Sequence, residues 1–205
     1  MNRSASALFT FACVVALPLG ALAAEPACTY TLDPASVHIG WTAYKTTAKA
    51  AVKGEFKKID VKGPVTGHDF AKMLKATRVS LDPFSSDSAS AERDANVSQY
   101  FFHKMDKTGV SGRVANVQGG SESGTFDLRL DLNGHKRKVP MTYKTSPEGE
   151  FTASGSFDML DFGLKTAFDS IHQACFEKHK GADGVSKTWT EVEVRIAAKV
   201  SKTCP

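Results

Sequence analysis

Apolar and polar residues alternate with period two along much of this chain, a pattern that belongs to strands with one buried and one solvated face. "VHIGWTAYK" puts Val37, Ile39, Trp41 and Ala43 on one side. "TFDLRLDL" sets Phe126, Leu128, Leu130 and Leu132 against Asp127, Arg129 and Asp131. "EVEVRIAAKV" sets Val192, Val194, Ile196, Ala198 and Val200 against Glu191, Glu193, Arg195 and Lys199. Between Leu132 and Val139 lies Asn133-Gly134, the dipeptide that most readily takes positive φ in a tight turn, so a hairpin is expected there. "VKGEFKKIDVKG", "KATRVSLDPF" and "GEFTASGSFDM" read as further strands with weaker patterns.

About eight one-sided strands in one small domain must cover their apolar faces, and a sheet closed on itself does so while removing exposed edges. The expected fold is all-β, an antiparallel β-barrel of about eight strands rather than a sandwich, with one longer helix and a short helix or turn. The longer helix is "TAFDSIHQACFEKHKG", where Phe168, Ile171, His172, Cys175, Phe176 and His179 recur at helical spacing. Thr166 with Asp169 resembles a capping box at its start, and Gly181 is the expected C-terminal cap. The second helical candidate, "AERDANVSQYFFHK", follows "SSDSAS", which supplies N-cap residues.

The chain opens with Arg3, an apolar run from Ala7 to about Leu19, and small residues at Ala21, Ala23 and Ala24. This is the pattern of a secretory signal peptide over residues 1–24, leaving a single domain at 25–205 that is soluble and exported. Export meets an oxidising compartment. Cys13 leaves with the signal, and Cys28 and Cys204 fall at the start of the first strand and the end of the last. Those strands are neighbours in an antiparallel barrel, so a Cys28–Cys204 disulfide is expected across the seam, leaving Cys175 free. Loss of residues 1–24 removes one basic side chain and no acidic one, leaving 25 basic against 22 acidic, a net charge of about +3. With the charges interleaved along the chain, composition makes no case for nucleic acid.

Sites of chemistry are scarce. "GGSESG" does not match a nucleophile elbow, and no phosphate-cradling loop, dinucleotide fingerprint or H-E-x-x-H occurs, so an enzyme is not expected. His172, Cys175 and His179 at i, i+3 and i+7 are weak candidates for a metal, with no fourth ligand in sight; the alternative is a packed helix with two histidines at its edge. Arg93 and Asp94, as sequence neighbours on a helix, face different directions and do not form a shared acid-base pair. Their expected role is structural, fixing where Phe101 and Phe102 point. The strongest remaining signal is apolar and aromatic richness on inward faces: Ile39, Trp41, Phe56, Phe101, Phe102, Phe126, Leu128, Phe151, Phe157, Phe162 and Trp189. An eight-stranded interior either just fills with side chains or holds one small ligand. Ala153 and Gly155, beside Phe151 and Phe157, would leave room for one.

In order and spacing, "YTLDPASVHIGW", "VKGEF", "RDANVSQYFF", "GTFDLRLDLNGHKRKV" and "DFGL" resemble the YceI-like lipid- or polyisoprenoid-binding proteins of bacterial periplasms over nearly the whole of residues 25–205. The resemblance implies a lipocalin-like barrel holding a long apolar chain in its interior. It implies a non-enzymatic periplasmic carrier without a cofactor, whose ligand is an isoprenoid, an isoprenoid quinone or a fatty-acid derivative. The segment "FDSIHQACFEKHKGADGVSKTW" is longer than the common form. The alternative function is a metal- or haem-associated redox accessory protein using His172, Cys175 and His179; a third is an interaction module without a ligand. No membrane-spanning segment is expected after residue 24, and the oligomeric state, a homodimer included, stays open.

Overall fold

The computed structural model describes residues 28–205, so the expected signal peptide at 1–24 lies outside the described residues. The described chain builds one antiparallel sheet. Its strands are β1 (Thr29–Lys45), β2 (Ala50–Phe56), β3 (Ile59–Lys62), β4 (Thr66–Gly67), β5 (Arg78–Leu81), β6 (Ser86–Asp87), β7 (Val110–Gly119), β8 (Ser123–Leu132), β9 (His135–Thr145), β10 (Glu150–Asp158) and β11 (Thr188–Thr203). Three helices accompany them: α1 (Phe70–Ala76), α2 (Ala91–Tyr100) and α3 (Lys165–Ala174).

The pairing order runs β3-β5-β7-β8-β9-β10-β11-β1-β2-β6, with β4 on β1. Its two ends are joined by the chain itself, because β2 and β3 are separated only by Lys57 and Lys58, so the two behave as one bent strand that curls the sheet into a barrel. The corner is pinned where Lys57 N donates to Ser85 O at 3.1 Å and Asp82 N to Lys58 O at 3.1 Å. With β2–β3 taken as one strand and the two-residue β4 and β6 set aside, the eleven segments reduce to the eight expected.

The alternation holds where it was strongest. Phe126, Leu128, Leu130 and Leu132 are buried, as are Met141 and Val139 opposite Phe126 and Leu128 on β9, and Tyr143 opposite Gly124. Asn133 at φ 54° and Gly134 at φ 76° make the hairpin turn. The Asn133 side chain is itself buried, accepting from Asp106 N at 2.7 Å and Lys107 N at 3.2 Å and donating to Phe162 O at 3.1 Å. β1 is not uniform: its register on β11 shifts between Asp33 and His38. Asp33 Oδ1 accepts from Ala35 N at 3.0 Å, and Ser36 Oγ donates to Asp33 O at 2.6 Å while accepting from Lys199 N at 2.7 Å. "DPAS" is thus a self-bonded bulge, and it returns Val37 and Ile39 to the inside. β1 and β11 pair from Thr29↔Thr203 onward, and the Cys28–Cys204 disulfide closes the seam just beyond, with Cα atoms 4.2 Å apart.

α2 forms where a helix was expected, with Ser90 of "SSDSAS" as its N-cap, while the other two helices depart from the sequence expectations. α1 was not foreseen; it is capped by Asp69, which accepts from Lys72 N at 2.9 Å, and it plugs one end of the barrel with Phe70, Met73 and Leu74. α3 begins after Leu164 with no side-chain cap, so Thr166 lies within the helix and no capping box forms. It ends at Ala174 with Cys175 as its C-cap, not at Gly181. His179 belongs to a separate 3₁₀ turn, Glu177–His179, so His172, Cys175 and His179 do not share one helical face.

Candidate functional site

The inward faces do not meet. They enclose a cavity of about 530 Å³, within the usual range for small-molecule sites, with a wall that is overwhelmingly apolar. Ten of the eleven residues singled out from the sequence line it: Ile39, Trp41, Phe56, Phe101, Phe102, Phe126, Leu128, Phe151, Phe157 and Trp189. Phe162 does not. It closes a 3₁₀ turn, Met159–Phe162, is buried at 1% exposure, and packs edge-on behind Phe157 with ring centroids 5.0 Å apart. Ala153 and Gly155 do not make the room either. A Cβ on Gly155 would lie 2.6 Å from Met141 Sδ and 2.3 Å from Pro140 O, so protein atoms already fill that space.

The cavity is long. Its lining follows β11 from Thr188 to Val200, at most about 40 Å of extended chain. The Val200 end is shut by an aromatic cluster in which the Phe70 ring of α1 lies 5.5 Å from Tyr30, 5.9 Å from Tyr143 and 6.4 Å from Phe151. Tyr143 is anchored there, its hydroxyl donating to Gly120 O at 2.6 Å. On β1, Gly54 of the neighbouring strand lets the Trp41 indole lie flat, since a Cβ there would sit 2.4 Å from Trp41 Cζ2. Trp41 Nε1 then donates to Ser86 Oγ at 3.0 Å.

The Thr188 end is polar and was largely missed from sequence. Ser90, Glu92, Arg93 and Asn96 of the α2 segment, Lys178 and His179 after α3, Lys45 and Thr188 line it. Thr188 Oγ1 stands 2.8 Å from His172 Nδ1 and 2.7 Å from His179 Nδ1. A hydroxyl has one proton to give and two lone pairs to accept with, so Thr188 can hydrogen-bond both rings at once and hold them together. Burial, then Lys45 and His172, lower the His179 pKa to about 4. Cys175 is buried beside them, and burial pushes its thiol pKa up, away from the thiolate. Both Nδ1 atoms thus face Thr188 Oγ1, and no group of three metal-ligating side chains occurs among the described residues.

Arg93 and Asp94 converge on one residue. Asp94 Oδ1 accepts from Ser88 N at 2.9 Å and Ser88 Oγ at 2.6 Å, and Arg93 Nη1 donates to Ser88 O at 3.2 Å. Ser90 caps α2, accepting from Arg93 N at 3.4 Å. The loop before α2 is therefore tied to its first turn, and the far end of α2 delivers Phe101 and Phe102 into the cavity wall, where Phe102 packs 6.3 Å from Phe56 and 6.0 Å from Phe84. Arg93 itself also lines the cavity. Arg93, Asn96, Val97 and Phe101, at i, i+3, i+4 and i+8, are the signal by which the α2 wall was detectable.

The family model described as a YceI-like domain matches residues 30–200. No curated protein matches the chain significantly. Among solved structures, the chain is similar to a polyisoprenoid binding domain from Saccharophagus degradans implicated in plant cell wall breakdown, at 12% identity over 86% of this chain and 98% of that one, with a TM-score of 0.59. It is also similar to a mutant Campylobacter jejuni YceI protein carrying a monobromobimane guest, at 15% identity over 76% of this chain and 87% of that one, with a TM-score of 0.52. At these identities the likeness is one of fold.

Proposed function

Because the chain belongs to the YceI-like family, we propose that it is a binding protein that holds one long-chain amphiphile, tail inside the barrel and head at the Thr188 end. The observation that carries this reading is the continuous apolar cavity of about 530 Å³, closed by aromatics at one end and polar at the other. Each methylene taken from water into such a wall contributes about 0.8 kcal/mol, so roughly ten contribute about 8 kcal/mol before the costs of association. The ligand class is an isoprenoid, an isoprenoid quinone or a fatty-acid derivative; the polyisoprenoid binding named for a protein of the same fold supports the first. The protein acts in the periplasm, a location supported by the export pattern at residues 1–24 and the Cys28–Cys204 disulfide. No reaction is assigned to it: the Cys175 thiol is held toward its protonated form, and His172 and His179 are engaged by Thr188. Among the described residues no helix is long and apolar enough to cross a membrane.

The test is native mass spectrometry of protein purified from its own cell, followed by solvent extraction and uptake of a fluorescent alkyl probe by the stripped protein. A co-purifying amphiphile and stoichiometric uptake are expected. Protein that carries no lipid and takes up no probe overturns the reading.

A further inference from the structure

Five cations stand in one row across the outer face of the sheet. Strand pairing sets Lys62 of β3 opposite Arg78 of β5, Arg78 opposite Arg113 of β7, Arg113 opposite Arg129 of β8, and Arg129 opposite Lys138 of β9. All five are exposed, while the residues that alternate with them on β8 and β9, Leu128, Leu130 and Val139, are buried. At about 4.8 Å between neighbouring strands, the row is about 19 Å long.

Such a row opposes stability. Like charges directly opposite one another in a sheet repel, and here every neighbouring pair in the row is a like pair. Neutralisation reaches only its ends, where Lys62 meets Asp60 at 3.2 Å and Lys138 meets Asp127 at 3.6 Å. Arg78 turns Nη1 to the carbonyls of Lys75 and Ala76 at 3.2 and 3.5 Å. Arg113 and Arg129, at the centre, have no carboxylate within ion-pairing distance among the described residues; the nearby acids Asp127 and Asp131 are taken by Lys138 and Lys136.

The five side chains line one surface groove of about 610 Å³ with Ser80 and Ser111. Two further cations, Lys136 and Arg137, line it, as do two carboxylates, Asp60 and Asp131, which are paired with Lys62 and Lys136, so seven cations face two acids. A groove admits a chain, whereas a bilayer presents a plane. No aromatic residue lines it, so the stacking that holds single-stranded nucleic acid is lacking. We propose that this groove binds a linear acidic polysaccharide, whose repeating carboxylate or sulfate groups lie along the row. The site is on the opposite face of the sheet from the cavity and does not depend on the lipid reading.

The test uses a heparin octasaccharide and an oligogalacturonate of equal length, which separate sulfate from carboxylate recognition, with an oligo-dT strand and phosphatidylglycerol vesicles as competing partners. Titration at low salt should detect binding of at least one oligosaccharide. The Arg113→Gln/Arg129→Gln variant should lose on the order of tenfold in affinity, with log K against log salt flattened by about one for each cation removed. Its melting temperature should hold or rise, because like-charge pairs are relieved, and Arg195→Gln on β11, outside the groove, should bind as the parent does. Failure to bind either oligosaccharide, or binding unchanged by the double substitution, overturns the proposal. Tighter binding of oligo-dT or vesicles through the same two arginines overturns it in favour of that partner.

Discussion

Replacing Val194 with phenylalanine tests whether the cavity takes a tail. Val194 lies in the middle of β11, opposite Trp41 of β1 and Gly155 of β10, and lines the cavity. A larger side chain there has one direction to grow. The space over Gly155 is filled by Met141 Sδ and Pro140 O, and the Trp41 indole lies over Gly54 rather than over Val194, so the phenyl ring enters the cavity. If it takes the place of about three methylenes of ligand, the loss is about 2.4 kcal/mol, or about 50-fold in affinity.

A series of straight-chain acids competing with a bound fluorescent alkyl probe reads this out. For the parent protein each added methylene should tighten binding about fourfold until the cavity is full. The Val194→Phe variant should reach its plateau about three methylenes earlier, with a melting temperature no lower than the parent's, since the ring fills empty space. Affinity and plateau both unchanged in a folded variant would refute the placement of the tail. A parent protein insensitive to chain length would refute the idea of a tail altogether.

Phe101→Ala/Phe102→Ala should weaken probe binding more than Asp94→Ala, which removes two bonds to Ser88 at a cost of about 1–3 kcal/mol to stability; the two variants are compared by probe titration after circular dichroism has shown both folded. Asn133→Ala takes the acceptor from two part-buried backbone amides, Asp106 N and Lys107 N, and the donor from the buried Phe162 carbonyl, so urea unfolding should show a loss of about 2–4 kcal/mol. Cys28→Ser should lower stability by at most about 4–5 kcal/mol, the chain-entropy figure for so long a closure, with denaturant titration as the measure. His179 binds its proton only near pH 4 in the folded protein, whereas the unfolded chain binds it near an ordinary histidine value of about 6.5. The stability that neutral His179 contributes is therefore full above about pH 6.5 and lost as pH falls toward 4, and that part of the melting-temperature slope should disappear in His179→Gln.

The barrel was legible because period two is read directly, and a strand with one buried face announces which residues are inside. Leu128, Leu130 and Leu132 needed nothing more. The seam disulfide followed from antiparallel closure and the places of two cysteines. What escaped depends on something other than period. The seven residues of α1 are too few to display a helical face, and the β1 bulge is made by Asp33 and Ser36 bonding their own backbone. Phe162 was assigned to the cavity by its type, but it sits in a 3₁₀ turn, where alternation does not apply. The polar end of the cavity draws on β1, α2, the turn after α3 and the first residue of β11, so only the tertiary fold brings Lys45, Arg93, His179 and Thr188 together.

The cation row was hidden for a related reason. Each of its members stands on the polar face of its own strand, where a lone arginine or lysine signifies nothing, and only register turns them into neighbours. Register also ties the row to the cavity, because on β8 Leu128 and Leu130 flank Arg129, and a slip of one residue would carry the arginine inside and the leucines out. The Asn133-Gly134 turn sets that register for β8 and β9. β7 keeps it on β8 from Ser111 to Ala115, and its bulge falls only beyond, at Asn116 with φ 50°. The burial that forms the inner wall thus also holds Arg113 opposite Arg129, and the packed core bears the repulsion that an isolated hairpin could not.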